Sequence, residues 1–75
     1  MAESRAEIRG QTLELNARQA PFILRRSPRA RRYTLRVDPR RGAVTLVLPR
    51  WGNKEEGLRF LAASAAWIEQ RLEKL

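Results

Sequence analysis

The sequence predicts an α+β domain, a small antiparallel sheet of two β-hairpins (about 11–16, 21–26, 31–37 and 43–48) covered on one face by a C-terminal helix (about 54–74). Three observations predict it. Between Arg31 and Val37 the side chains alternate, with Tyr33, Leu35 and Val37 on one face and Arg32, Thr34 and Arg36 on the other, the period of a half-buried strand. Asp38-Pro39-Arg40-Arg41-Gly42 then reads as a turn, with Asp at its start, Pro to preset one dihedral and Gly to supply a positive φ. Beyond Asn53 the apolar period changes to that of a helix: Leu58, Leu61, Ala65, Ile68, Leu72 and Leu75 form one stripe.

The remaining elements follow in order. Residues 1–10 carry no apolar run and read as a disordered terminus, leaving 11–75 as a single domain. Leu13 and Leu15 alternate with Thr12, Glu14 and Asn16, the pattern of a first strand. Asn16-Ala17-Arg18-Gln19 is its polar connector. A second strand spans Pro21 to Arg26, with Pro confined to its start, Phe22 and Leu24 on one face and Ile23 and Arg25 on the other. Ser27-Pro28-Arg29-Ala30 interrupts the pattern, because Pro28 fixes its own φ and restricts Ser27. The fourth strand turns Val44, Leu46 and Leu48 inward and ends at Pro49. Asn53 is placed as helix N-cap, with Glu56 three residues later for a capping box, and Glu55 and Glu56 suit the positive end of the helix dipole. Trp67, beside the stripe, and Ile68, within it, are expected to fix the helix on the sheet. The stripe still runs at Leu75 with no Gly or Pro to close it, which reads as the N-terminal part of a longer protein.

Composition excludes several chemistries. The 75 residues contain no Cys and no His, which closes disulfide and thiolate chemistry, His-based zinc ligation and the usual His general base. The eight carboxylates are scattered. Glu55 and Glu56 are adjacent, and helical neighbours point about 100° apart, so they do not face each other as an acid–base pair. No catalytic and no metal-binding residue is expected, and no cofactor in this chain. There is no signal-peptide pattern and no uncharged run approaching the ~20 residues of a membrane helix, so a cytoplasmic chain without membrane contact is expected.

What remains is charge. The net charge is +8, and fourteen of the sixteen basic residues are Arg. Between Arg25 and Arg50 there are nine Arg and one acid, Asp38, so this stretch alone carries +8. Arg25, Arg26, Arg29, Arg31, Arg32 and Arg36 are the candidate anion or nucleic-acid contacts, since guanidinium donors match phosphate oxygens in pairs. Against this stand the absence of aromatics interleaved on the same face and the absence of a duplex-reading motif. Arg-rich composition also accompanies GC-rich genomes. A solvated outer sheet face, or one that covers acidic groups of a partner domain, explains the same residues. Weak, sequence-independent attraction to nucleic acid or phosphate, lost with salt, is the expectation.

The run Arg25-Arg26-Ser27-Pro28-Arg29-Ala30-Arg31-Arg32-Tyr33-Thr34-Leu35-Arg36-Val37 resembles the opening of the YgjP-like metallopeptidases. In that family an Arg-rich phrase leads into a strand, a Gly turn and a strand ending in Pro, here Gly42, Val44–Leu48 and Pro49, and then a helix with a Trp-Ile and an Arg-Leu pair, here Trp67-Ile68 and Arg71-Leu72. The resemblance covers roughly residues 12–75; Asn16-Ala17 departs from the Gly usual in the first hairpin. It implies a non-catalytic N-terminal domain of a zinc-dependent hydrolase. Zinc would be held by an H-E-x-x-H motif in a C-terminal catalytic domain, which would be this domain's partner. The alternative is a free-standing basic module for nucleic acid.

Overall fold

A computed structural model describes residues 6–16 and 18–74. The N-terminal residues 1–5, Ala17 of the first connector and Leu75 of the helical stripe lie outside the described residues. The order of elements is β1 (Ala6–Arg9), β2 (Thr12–Leu15), β3 (Gln19–Ser27), β4 (Thr34–Val37), β5 (Val44–Pro49), α1 (Lys54–Ala63) and α2 (Ala65–Glu73). The strands form one sheet in the order β1-β2-β3-β5-β4, and the helices pack on one of its faces. The α+β architecture expected from sequence is therefore what the chain adopts, and several particulars differ.

The sheet is mixed rather than wholly antiparallel. β1–β2, β2–β3 and β4–β5 are antiparallel, whereas β3 and β5 run parallel, from Phe22 opposite Val44 to Ser27 opposite Pro49. The reason lies in where the apolar residues are. β5 buries Val44, Leu46 and Leu48, so it takes an interior position between β3 and β4, and the Arg-bearing β4 goes to the edge, where charge is tolerated. The connection between Pro28 and Tyr33 is long enough to pass the two inter-strand spacings, about 10 Å, that this order requires.

Residues 6–9, expected to be disordered, supply a fifth strand: Ala6 and Ile8 stand opposite Leu15 and Leu13 and pack against the core, with Gly10 at φ 62 in the turn between β1 and β2. Its residues hold one large apolar side chain, Ile8, where β2 of the same length holds two, so no alternation declares itself in sequence. β3 is longer than expected and contains Pro21 in its interior. Pro21 sits where β3 changes partner: Gln19 to Pro21 pair with β2, and Phe22 onward pairs with β5. The ladder to the first hairpin closes with the Phe22 N–H donating to the Gln11 carbonyl at 2.8 Å. β4 starts at Thr34 rather than Arg31, because Arg31 to Tyr33 bend away from the sheet.

Turn and cap chemistry match expectation closely. Asp38 Oδ1 accepts from the Arg40 N–H at 2.8 Å, the Gly42 N–H donates to the Asp38 carbonyl at 2.8 Å, and Gly42 has φ 64. Asn53 Oδ1 accepts from the Glu56 N–H at 2.8 Å. The box closes differently from expectation: Asn53 Nδ2 donates to Glu56 Oε1 at 2.9 Å, while the Asn53 N–H donates to Tyr33 Oη at 3.1 Å. Tyr33 thus ties the β3–β4 connection to the start of α1.

The helix is divided at Ser64, whose φ −100 and ψ 9 leave the helical region. Hydrogen bonds still bridge it, from the Ser64 N–H to Phe60 O and from the Ile68 N–H to Ser64 O. The stripe therefore stays in phase, and Leu61, Ala65, Ile68 and Leu72 are buried with Leu13, Phe22, Val44, Leu46 and Leu48 in one core. Trp67 is not part of it. Ile68 is fully buried, but Trp67 keeps 40% of its surface in water, so anchoring falls to Ile68 alone.

Candidate functional site

The strand registers place Arg25, Arg26 and Arg36 of the basic stretch on the sheet. Phe22, Leu24 and Arg26 face inward with Val44, Leu46 and Leu48, and Ile23, Arg25 and Ser27 face outward with Thr45 and Val47. On β4, Thr34 and Arg36 face outward. The six candidate residues are therefore not one patch. They separate into three groups.

The first group is Arg25 and Arg36, on the outer sheet face that no helix covers. They stand on either side of β5, Arg25 opposite Val47 and Arg36 opposite Thr45. With Ser27, Thr45 and Asp38 they line a shallow cleft of about 420 Å³. Asp38 is occupied by the turn it holds, since its carboxylate accepts from the N–H groups of Arg40 and Arg41. Two guanidinium groups and two hydroxyls around one cleft suit a phosphate or carboxylate.

The second group is Arg26 alone. At the end of β3 its Nη1 lies among three carbonyl oxygens, Pro49 at 3.0 Å, Arg50 at 3.1 Å and Gly52 at 2.7 Å. A fixed planar donor is well suited to collecting the outward-turned carbonyls of a tight loop. Arg26 holds the β5–α1 turn through Nη1 and so positions the helix.

The third group lies toward the edge strand. Arg29 and Arg31 are exposed in the β3–β4 connection. Arg32 lines a groove of about 570 Å³ between β4 and the helices, with Thr34, Leu35, Phe60, Ala63 and Trp67. Tyr33 links two of the rings near this groove, and Trp67 pairs with an arginine. Tyr33 meets Trp51 edge to face at 5.7 Å and Phe60 at 6.3 Å, and Arg71 stacks over Trp67 at 5.0 Å from the ring centroid. Phe60 is 37% and Trp51 66% exposed. Sequence reasoning missed this groove because it assigned Trp67 to the contact of the helix with the sheet. The available signal was that aromatics at 60 and 67 recur one helical face away from the buried Leu61 and Ile68.

The inner face also has an apolar cleft of about 730 Å³ beside the β1–β2 hairpin, whose one charged lining group is Lys54. No three His, Cys, Asp or Glu side chains come together as metal ligands among the described residues. Among the described residues no helix is long and apolar enough to cross a membrane. Compared with protein-family models, curated proteins and solved structures, the chain gives no match.

Proposed function

We propose that this chain is a non-catalytic N-terminal domain of a zinc-dependent hydrolase, structural in role, whose outer sheet face contributes anion contacts through Arg25 and Arg36. The observation that carries the reading is the place of the family-like phrase in the fold. Arg25-Arg26 end β3, the Arg-rich run leads to β4, Gly42 makes the turn, Pro49 ends β5, and Trp67-Ile68 and Arg71-Leu72 lie on α2. Within that phrase Arg26 and Ile68 hold the fold, while Arg25, Arg36 and Trp67 are directed to the surface. With neither His nor Cys in the sequence, zinc would be held by the catalytic domain that the resemblance implies.

The test is the size and metal content of the native gene product. Antiserum raised against this domain is expected to detect a polypeptide well above 8.7 kDa that copurifies with stoichiometric zinc, encoded by a frame continuing into H-E-x-x-H. The 75-residue chain alone is expected to give no zinc signal by titration calorimetry. A native product of 8.7 kDa that binds oligonucleotides at physiological salt would replace this reading with the nucleic-acid module. Stoichiometric micromolar zinc binding by the isolated chain would overturn the division of labour.

A further inference from the structure

We infer that the groove between β4 and the helices is a strand-addition site for an extended peptide that alternates apolar and acidic residues. The inference is independent of the hydrolase reading. β4 is the edge of the sheet and pairs with β5 alone, so the backbone donors and acceptors on its other side are free of sheet partners. The groove is bordered by Thr34 and Leu35, the first two residues of β4, whose side chains leave opposite faces of the sheet, and by Arg32 and Tyr33 just before the strand. An opening that touches side chains of both faces lies at the strand's open edge, here at its start, where a sixth strand would enter.

The chemistry of the two sides sets the sequence of the occupant. Successive side chains of an added strand point alternately inward and outward. Inward, they would meet Leu35, Phe60, Ala63 and Trp67, an apolar floor whose two rings are already more than a third exposed. Outward, they would lie beside Thr34 and Arg36 on the strand, with Arg32 at its end. No acidic side chain lines the groove, and Arg71 adds a second positive group over Trp67. Opposite charges directly across a strand pair are stabilising, and like charges are not. An apolar-in, acidic-out segment is complementary on both sides. A single-stranded oligonucleotide is a poorer fit, because the floor offers it little polar surface for its phosphates.

The test uses the whole chain and synthetic peptides of about eight residues, long enough to span the four-residue β4 with margin. A fluorescent glutamate–valine alternating peptide is titrated by anisotropy, and amide exchange of Thr34–Val37 is followed by mass spectrometry. Binding is expected together with slowed exchange in β4. Trp67→Ala should weaken it about tenfold or more, the usual size for losing an aromatic anchor. Arg36→Glu should abolish binding of the glutamate peptide and confer binding of a lysine–valine peptide, a rescue that loss of fold would not produce. A proline-substituted peptide should not bind, since proline donates no ladder hydrogen bond. Four results would overturn the inference: equal affinity for the lysine–valine peptide on the unaltered chain, undiminished binding of the proline version, displacement by an oligonucleotide at stoichiometric concentration, or β4 protection accompanied by dimerisation in sedimentation, which would make a second copy the occupant.

Discussion

Seen from the helices, the sheet is a packed apolar surface; seen from behind, it is a lattice of threonines, arginines and an exposed isoleucine. Leu13, Phe22, Val44, Leu46 and Leu48 stand on the first face and are buried. Thr12, Glu14, Ile23, Arg25, Thr34, Arg36 and Thr45 stand on the second. The chain carries a single Arg-rich run through both. Arg25 and Arg26 are neighbours in sequence, yet the strand's two-residue period sends Arg25 out to solvent and Arg26 inward to bind three carbonyls. The difference teaches that net charge on a segment does not locate a binding surface. Strand parity does, and it converts some charges into scaffold.

The largest effect that would break this comparison is on the covered face. Ile68→Ala removes a fully buried side chain from the contact of α2 with the sheet and is expected to cost about 2–5 kcal/mol. A 75-residue domain has only about 4–11 kcal/mol in all. The matching change on the open face, Ile23→Ala, starts from a side chain 49% exposed and should cost less than about 1 kcal/mol. Urea melts of the two variants decide it. Equal midpoints would mean that the two faces are not energetically distinct.

The approach of α1 to the sheet gives the next effect. A Cβ at Gly57 would lie 2.6 Å from Leu48 Cδ2 and 3.1 Å from Leu46 Cδ2. Gly57→Ala gains up to about 1 kcal/mol of helix propensity. It also forces two buried leucines to move, which costs about 1–3 kcal/mol in a packed core. The net change should be destabilising. A stabilised variant would show that the helix–sheet interface has slack.

These contrasts also mark how far the sequence could be read. The inward residues of β5, the Asp38–Gly42 turn, the Asn53 cap and the helical stripe were all legible, because each rests on a local rule: a two-residue period, a turn dihedral, a cap, a 3.6-residue period. The parallel pairing of β3 with β5 was not, because strand order is decided by which strand competes best for an interior place, a comparison between distant segments. β1 was missed because Ile8 is its one large apolar residue, which sets no period. The Arg residues were found as a group, but their separation into Arg25 with Arg36, Arg26, and Arg32 beside Trp67 depended on where β3 ends and where β4 begins. Trp67 was misplaced for a related reason: a residue adjacent to an apolar stripe is either core or rim according to what covers it, and Trp67 lies at the open groove beside the edge strand β4.

Among the arginines, Arg26 is expected to show the larger stability effect. Arg26→Ala takes a donor from the partly buried carbonyls of Gly52 and Pro49, the latter keeping the Gly52 N–H at 3.0 Å. Hydrogen bonds from charged groups are worth about 1.5–3 kcal/mol when shielded, and partial exposure brings this to about 1–2 kcal/mol. Arg26→Lys should recover only part of it, since an ammonium lacks the planar fork. Thermal melts measure both. If Arg26→Ala melts with the parent, the turn is held by its own backbone, and Arg26 returns to the set of free cations.

Arg25 and Arg36 should show the smallest stability effect and the largest effect on anion attraction. Neither has a carboxylate partner among the described residues, and both project from an uncovered face, so Arg25→Ala and Arg36→Ala should each change stability by no more than about 0.5 kcal/mol. Their charge acts instead on whatever polyanion approaches. On duplex DNA each phosphate contact contributes about 0.9 to the slope of log affinity against log salt. The double variant should therefore flatten that slope by about 1.8 if each arginine engages one phosphate, while the melting curve stays in place. Arg26→Ala should do the reverse, lowering the melt and leaving the slope nearly unchanged below its transition. Anisotropy titrations across a salt series, run beside the melts, separate the two behaviours. A slope that falls equally for all three variants would mean that attraction depends only on total charge, and strand parity would then carry no information about where this domain meets an anion.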